Sequence, residues 1–342
     1  LSRNQRRELS EQGVSTVAEL SALQSPLPFK PQRGSIAGLE RARDQARVQV
    51  ASRGKSRPVY EFVAASGSSE SEEPTGLARL PAPSPGDIFF DLEGDPMAGD
   101  KVREYLFGLV TIEADGSEKY HCWWATNRHE ERLGFEAVMD FISERLETYQ
   151  ELHIYHYASY EETALKRLMG RYATRMDELD RLLRGKRLVD LYAVVRHGLR
   201  VGVERYSLKN LEPLYDLERE VELPKASRAL ALMEQALELG RVEQITPELK
   251  EVVRLYNRDD CVSTRRLRDW LEERRTELIQ SGVDVKRPEQ PDDSPSEEID
   301  ERDQEVEALR SRLLDGVSEE RDERSDEEQA RYQLAYLLDW HR

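Results

Sequence analysis

The chain has 342 residues, 35% of them charged and 38% hydrophobic, with a formal charge of −17. That length allows one to three domains and at least one sizeable core, and no apolar run approaches the ~20 residues of a membrane-crossing helix. Its two cysteines, Cys122 and Cys261, have neither disulfide-framework nor zinc-site spacing, so they read as ordinary thiols of a reducing cytoplasm.

The opening LSRNQRRELSEQG has no Met and reads as the interior of a helix, so the sequence is expected to be a piece of a longer chain. A turn at Gly13 leads into a second helix that Ser15 or Thr16 can cap. The run LSEQGVSTVAELSAL resembles half of a helix-hairpin-helix module, whose hairpin N–H groups grip phosphates. Ser15 stands where a second hairpin glycine would help, and a plain helical pair fits equally well. A helix over Ile36 to Val50 and an extended VYEFV complete a helical segment, 1–62. Residues 63–86 contain ASGSSESEEPTGLARLPAPSPG, a Ser/Glu/Pro-rich composition that marks a linker.

Residues 87–280 change to an αβ pattern. Apolar, β-rich runs at 87–92, 104–112 and 118–124 are separated by turn signals such as Ala114-Asp115-Gly116, which predicts a three-stranded antiparallel meander. A helix over 129–149 follows, then a strand in ELHIYHY, a helix from Tyr160 to about Met169, and a strand in RLVDLY. Further helices are expected at 206–216, 227–240 and 247–278. The fold class is therefore α/β: a mixed sheet of about five strands flanked by helices.

Residues 281–342 form an acidic stretch with a helical interlude from Glu305 to Leu314. The closing EEQARYQLAYLLDWHR is apolar enough that its Leu/Tyr/Trp face is expected to dock on a further domain. The charge is unevenly spread. Residues 1–60 hold 11 Lys/Arg against 5 Asp/Glu, 161–210 hold 12 against 7, and 291–342 hold 7 against 18. A phosphate backbone responds to such local basic patches rather than to the total, although basic helix faces are also common solvated surface.

The first run, IFFDLEGD, ends a buried-type strand with Asp91 and Glu93, which leave the same face because they are two residues apart. Their charges repel, and a shared hard cation such as Mg²⁺ or Mn²⁺ is the natural compensation. Two such ions ~4 Å apart can activate a water and steady a leaving oxygen. Alone, the pair is as well explained by a polar turn, since Gly94-Asp95-Pro96 follows. In VVRLYNRDDCVSTRRLRDWL, Tyr256 and Asp260 lie four apart and so share a helix face.

In this order, the segments resemble the DEDD superfamily of 3′→5′ exonucleases, which has a ribonuclease H-like fold and uses two metal ions. Asp91 and Glu93 match its first motif, and Tyr256 with Asp260 matches the Tyr form of its third. Asp259 fits neither form, having Leu255 four residues before it and Arg254 five before. For the second motif, LHIYHYASYEETALKRL has the shape, with Glu161 where the family usually carries Asp; Glu162 points elsewhere on the helix, and Asp190 is the reserve candidate. RLVDLYAVVRHGLRVGVERYSLKNLEPLY followed by YNRDDC is similar to the YprB-type branch. The whole order resembles the middle of large bacterial putative RecB-family nuclease/helicase fusions, with LLDWHR like the junction before the helicase.

The resemblance implies a cytoplasmic 3′→5′ exonuclease on single-stranded DNA. Asp91, Glu93, Glu161 and Asp260 would hold two Mg²⁺ or Mn²⁺ ions, and Tyr256 would orient the attacking water. RNA is the alternative substrate, and a non-catalytic nucleic-acid-binding scaffold is the rival reading, which the Glu at 161 keeps open. Helicase and RecB-like nuclease domains are the partners implied. Trp123 and Trp124 suit base stacking or sheet packing, His153 and His156 suit phosphate contact or strand hydrogen bonding, and Arg181, Arg184, Lys186 and Arg187 suit a phosphate track or a solvated face. There is no P-loop, Gly-rich dinucleotide loop or nucleophile elbow.

Overall fold

The computed structural model describes residues 1–27, 29–31, 35–63, 74–95, 102–294, 297–318 and 324–338, and of these the side chains of 297–304 and 307 are left aside. Two compact units result, Leu1–Pro291 and Asp292–Arg342. No helix among the described residues is long and apolar enough to cross a membrane.

The first unit opens with helices α1 (Arg3–Glu11), α2 (Val17–Ala22) and α3 (Ile36–Ser52) and a short strand β1 (Tyr60–Phe62). Capping boxes start α1 at Ser2 and α2 at Thr16, each side chain accepting a backbone N–H while Gln5 or Glu19 reaches back. Leu9, Val14, Leu20, Leu39 and Ala46 give these helices a small core of their own. The sheet strands β2 (Ile88–Asp95), β3 (Arg103–Ile112) and β4 (Glu118–Trp124) form the expected meander. After them come α4 (Arg128–Thr148), β5 (Ile154–His156), α5 (Tyr160–Tyr172), α6 (Met176–Arg184), β6 (Leu188–Asp190), α7 (Leu191–Gly198) and β7 (Leu199–Val201). Helices α8 (Leu208–Leu211), α9 (Leu223–Glu238) and α10 (Pro247–Gln280) complete the unit.

The main sheet has the order β4-β3-β2-β5-β6. Strand β2 pairs antiparallel with β3 and parallel with β5, which pairs parallel with β6. This is the mixed five-stranded α/β architecture that the sequence pattern predicts. The pleat sorts β2 by parity. Ile88, Phe90 and Leu92 face one core with Phe135, Val138 and Ile142 of α4 and Leu165 of α5. Phe89 faces the other, with Leu267, Trp270 and Leu271 of α10 and Val194 and Val195 of α7. Asp91 and Glu93 continue the Phe89 row, so they point toward α10.

Several elements differ from the sequence-based expectation. RLVDLY is strand only through Asp190, because that side chain accepts the Tyr192 N–H at 2.9 Å and caps α7 instead. The expected helix at 206–216 is one turn of α8 followed by a 3₁₀ turn at Glu212–Leu214. Helix α6 was not expected; Leu179 and Leu182 bury one face of it. The basic run begins on its last turn with Arg181 and Arg184 and continues past its end with Lys186 and Arg187. Arg184 pairs with Asp180 at 2.5 Å, and buried Arg187 donates to the Leu152 carbonyl at 3.2 Å. In the Ser/Glu/Pro segment, 64–73 lie outside the described residues, whereas Leu77 and Leu80 are buried in the main core.

In the second unit, α11 (Glu297–Leu314) and α12 (Asp326–Leu337) pack on each other. Arg331 donates to the Leu313 carbonyl at 3.0 Å, and a Ser325 capping box starts α12. The last residues of LLDWHR lie outside the described residues.

Candidate metal centre

Helix α10 packs on β2, β3 and β5 and meets β2 at that strand's carboxyl end, the end of the parallel strands where open α/β sheets gather their ligands. One oxygen each from Asp91, Glu93 and Asp260 lies within 4.8 Å of the others. Helical periodicity puts Tyr256, Asn257 and Asp260 on the turn of α10 that passes over the end of β2. Asn257 donates from Nδ2 to Asp91 Oδ2 at 2.8 Å and approaches Glu93 Oε1 at 3.5 Å. Its amide is oriented by Tyr120, whose hydroxyl donates to Asn257 Oδ1 at 2.8 Å. This fit needs Gly108, the β3 partner of Asp91, since a Cβ there would stand 1.6 Å from Asn257 Oδ1.

Burial first, then the Asp260, Glu93 and Glu161 charges, raise the Asp91 carboxyl well above the usual range. Burial and Asp260 push Glu93 up to about 8, against the opposing pull of Lys209 and the Asn257 hydrogen bond. Acidic groups held this close and this dry repel one another, and a shared cation offsets that repulsion. A hard divalent ion such as Mg²⁺ or Mn²⁺, which takes oxygen ligands, fits that donor set.

Asp260 has two cations on it. Lys209 Nζ lies 2.6 Å from Oδ2, and Arg219 Nη2 lies 2.6 Å from Oδ1. Arg219 is fixed from behind by Glu212, to whose Oε2 its Nε donates at 3.0 Å. Tyr256 stands with its ring facing both cations, Lys209 Nζ at 5.0 Å and the Arg219 guanidinium at 5.5 Å from its centroid. Burial, and next the Asp260 charge, raise the Tyr256 phenol, so it stays protonated. Neighbouring Asp259 points elsewhere and accepts the backbone N–H groups of Glu220 at 2.9 Å and Val221 at 3.3 Å.

Glu161 is not in the three-carboxylate group. Buried on the first turn of α5, it lies with Oε2 3.5 Å from His156 Nδ1. That nitrogen donates to the Ala158 carbonyl at 2.6 Å, so among the described residues Glu161 Oε2 and His156 Nε2 are buried without a hydrogen-bond partner. Burial raises the Glu161 carboxyl, with His156 opposing. Burial alone would lower His156, but Glu161, then Asp190, outweigh it and the imidazole is raised. Asp190 Oδ1 accepts the N–H of Ala158 at 2.8 Å, closing a turn in which Ala158 adopts φ 71°. Asp190 thus holds the turn that presents Glu161.

The other candidates sit in packing roles. Trp123 meets Phe141 edge-on at 5.9 Å, Lys250 lies 5.5 Å over the Trp124 ring, and His153 Nε2 shares a 2.8 Å hydrogen bond with Gln290. Lys209, Arg219, Asn257 and Gly108 were not picked out in the sequence. Asn257 carried a signal, lying three residues before Asp260 on the same helix face; Lys209 stands on the single turn of α8 and Arg219 in the loop before α9, stretches too short for a periodicity to mark them.

Residues 88–272, just over half of the chain, match the sequence profile of the RNase H superfamily. No match was found among curated proteins or among solved structures.

Proposed function

The chain belongs to the RNase H superfamily, and from that membership we propose that it is a metal-dependent nuclease of the Tyr-type DEDD class. On this reading it is a 3′→5′ exonuclease that hydrolyses phosphodiester bonds of single-stranded DNA. The observation that carries the proposal is the group of Asp91, Glu93 and Asp260 within 4.8 Å, with Tyr256 one helical turn before Asp260. The class supplies the polarity.

Two Mg²⁺ or Mn²⁺ ions bound here would supply an activated water and charge stabilisation at the leaving oxygen. The chain's own residues do the positioning. Asp91 and Glu93 from β2, Asp260 from α10 and Glu161 from α5 are the residues that would hold the ions. Asn257 fixes the Asp91 carboxylate through Nδ2. The protonated Tyr256 phenol orients the attacking water by hydrogen bonding. His156, held by the Ala158 carbonyl, limits the freedom of Glu161. Within a larger protein, this domain would act beside a helicase and a RecB-like nuclease in a bacterial cytoplasm.

The test is stepwise shortening of 5′-labelled single strands, DNA and RNA in parallel, with Mn²⁺ or Mg²⁺. Asp91→Asn and Asp260→Asn should each lower the rate by at least ~10³-fold while retaining the wild-type circular dichroism. Preferential loss of RNA would move the substrate to ribonucleic acid. Binding of strands by wild type and both variants, with no shortening in any metal, would leave a non-catalytic scaffold.

A further inference from the structure

Both oxygens of Asp260 are occupied by cations, and the two cations are held very differently. Arg219 is 7% exposed at its side chain and clamped by Glu212, whose Oε1 also accepts from Ser263 Oγ at 3.1 Å. Its loop is pinned as well, by the Glu220 and Val221 N–H groups on Asp259. Lys209 is 28% exposed, and its ion-pair partner among the described residues is Asp260 alone. It stands on the single turn of α8, which buries Leu208 and Leu211 beneath it. Beyond the carboxylate, its ammonium lies against the face of the Tyr256 ring.

An ion bound by Asp91, Glu93 and Asp260 must take an oxygen of Asp260. The fixed guanidinium keeps Oδ1, so Oδ2 is the oxygen that can be released, by rotation of a flexible four-carbon stem. We propose that Lys209 is a displaceable counter-ion: it neutralises Asp260 while the site is free of metal, and a divalent ion that takes Oδ2 releases its ammonium to a phosphate of the bound nucleic acid. This deepens the nuclease reading and rests on it.

The two halves of the role predict effects of opposite sign. Removing the ammonium removes a competitor for Oδ2 and a positive charge from the site, so metal should bind more tightly. The same change removes a phosphate contact, so nucleic acid should bind more weakly. A salt bridge that only supported the fold would, on removal, weaken both. Ion and phosphate binding should also be coupled reciprocally, each favouring the other.

The experiment uses the full chain as wild type, Lys209→Met and Lys209→Gln; the polar variant serves if the apolar one does not fold. Isothermal titration with MnCl₂ reads the metal site. Fluorescence anisotropy of a fluorescein-labelled oligothymidylate in CaCl₂ reads the phosphate contact. Loss of one charge-assisted contact sets the expected scale: Mn²⁺ affinity rises about tenfold, oligonucleotide affinity falls about tenfold, and the salt dependence becomes shallower by about one phosphate contact. Variants that bind Mn²⁺ no better than a wild type that binds it overturn the proposal and spare the nuclease reading. Tighter Mn²⁺ with unchanged oligonucleotide affinity also overturns it. A wild type that takes up no Mn²⁺ overturns the nuclease reading itself.

Discussion

Asn257 shows how much of the centre depends on single groups. Its Nδ2 reaches Asp91, its Oδ1 receives Tyr120, and the space it occupies exists because residue 108 has no side chain. Gly108→Ala must push Asn257 off Asp91. A cost of about 1–3 kcal/mol in stability follows from the overpacking, together with weaker Mn²⁺ binding, read by urea denaturation and Mn²⁺ titration of the same protein. Unchanged Mn²⁺ affinity in a destabilised Gly108→Ala would mean that Asn257 packs without positioning Asp91. A second residue-scale outcome concerns His153, buried just before β5, where burial lowers the imidazole below its ordinary 6.5. Because the folded pKa is the lower one, the unfolded chain takes up the proton first. The stability that neutral His153 contributes is present above 6.5 and is lost as pH falls through 6.5 toward the folded value. His153→Gln should therefore lose less stability than wild type between pH 7.5 and 5.5 in urea titrations. Equal losses in both proteins would place the acid sensitivity elsewhere.

At the scale of elements, strand parity and helix periodicity do most of the work. Phe89, Asp91 and Glu93 share a face because a strand repeats every two residues, and that face meets α10 because Phe89 packs with its apolar residues. Asp259 and Asp260 are adjacent but 100° apart around α10, so one anchors a loop and the other joins the carboxylates. Asp259→Ala should free the Glu220 and Val221 amides, with faster hydrogen exchange at both and a loss of about 1–3 kcal/mol; protection at wild-type level would remove the anchoring role. The same periodicities account for what the sequence showed and hid. Long runs such as EYLFGLVTI and the 34-residue α10 were legible. Helix α6 was obscured by its arginines, although Leu179, Leu182 and Leu183 have helical spacing. RLVDLY read as a continuous strand because the capping role of Asp190 depends on where its side chain turns.

Across the first unit as a whole, the N-terminal helices and the αβ sheet are joined by a small second sheet. Strand β1 pairs with β7, Tyr60 against Val201 and Phe62 against Leu199. Gln45 and Gln49 of α3 donate to the carbonyls of Val201 and Val203, each at 2.7 Å, and Tyr60 meets Trp270 of α10 edge-on at 5.2 Å. A chain beginning after residue 63 would leave β7 an open edge and uncover part of Trp270. Its melting temperature should fall by several degrees, about 2–4 °C per kcal/mol lost for a unit of this size; an unchanged melt would show that the αβ part holds itself.

The sequence by itself determined the local geometry: two acids on one strand face, a Tyr and an Asp on one helix face, and the order of strands and helices between them. Those follow from repeats of two and 3.6 residues, which any stretch of chain carries within itself. Only the tertiary structure decided what meets those acids. Asn257 lies 166 residues from Asp91, and Lys209 lies 51 residues from Asp260. Such pairings depend on how β2, α8 and α10 pack together, and no periodicity encodes a contact made across that distance.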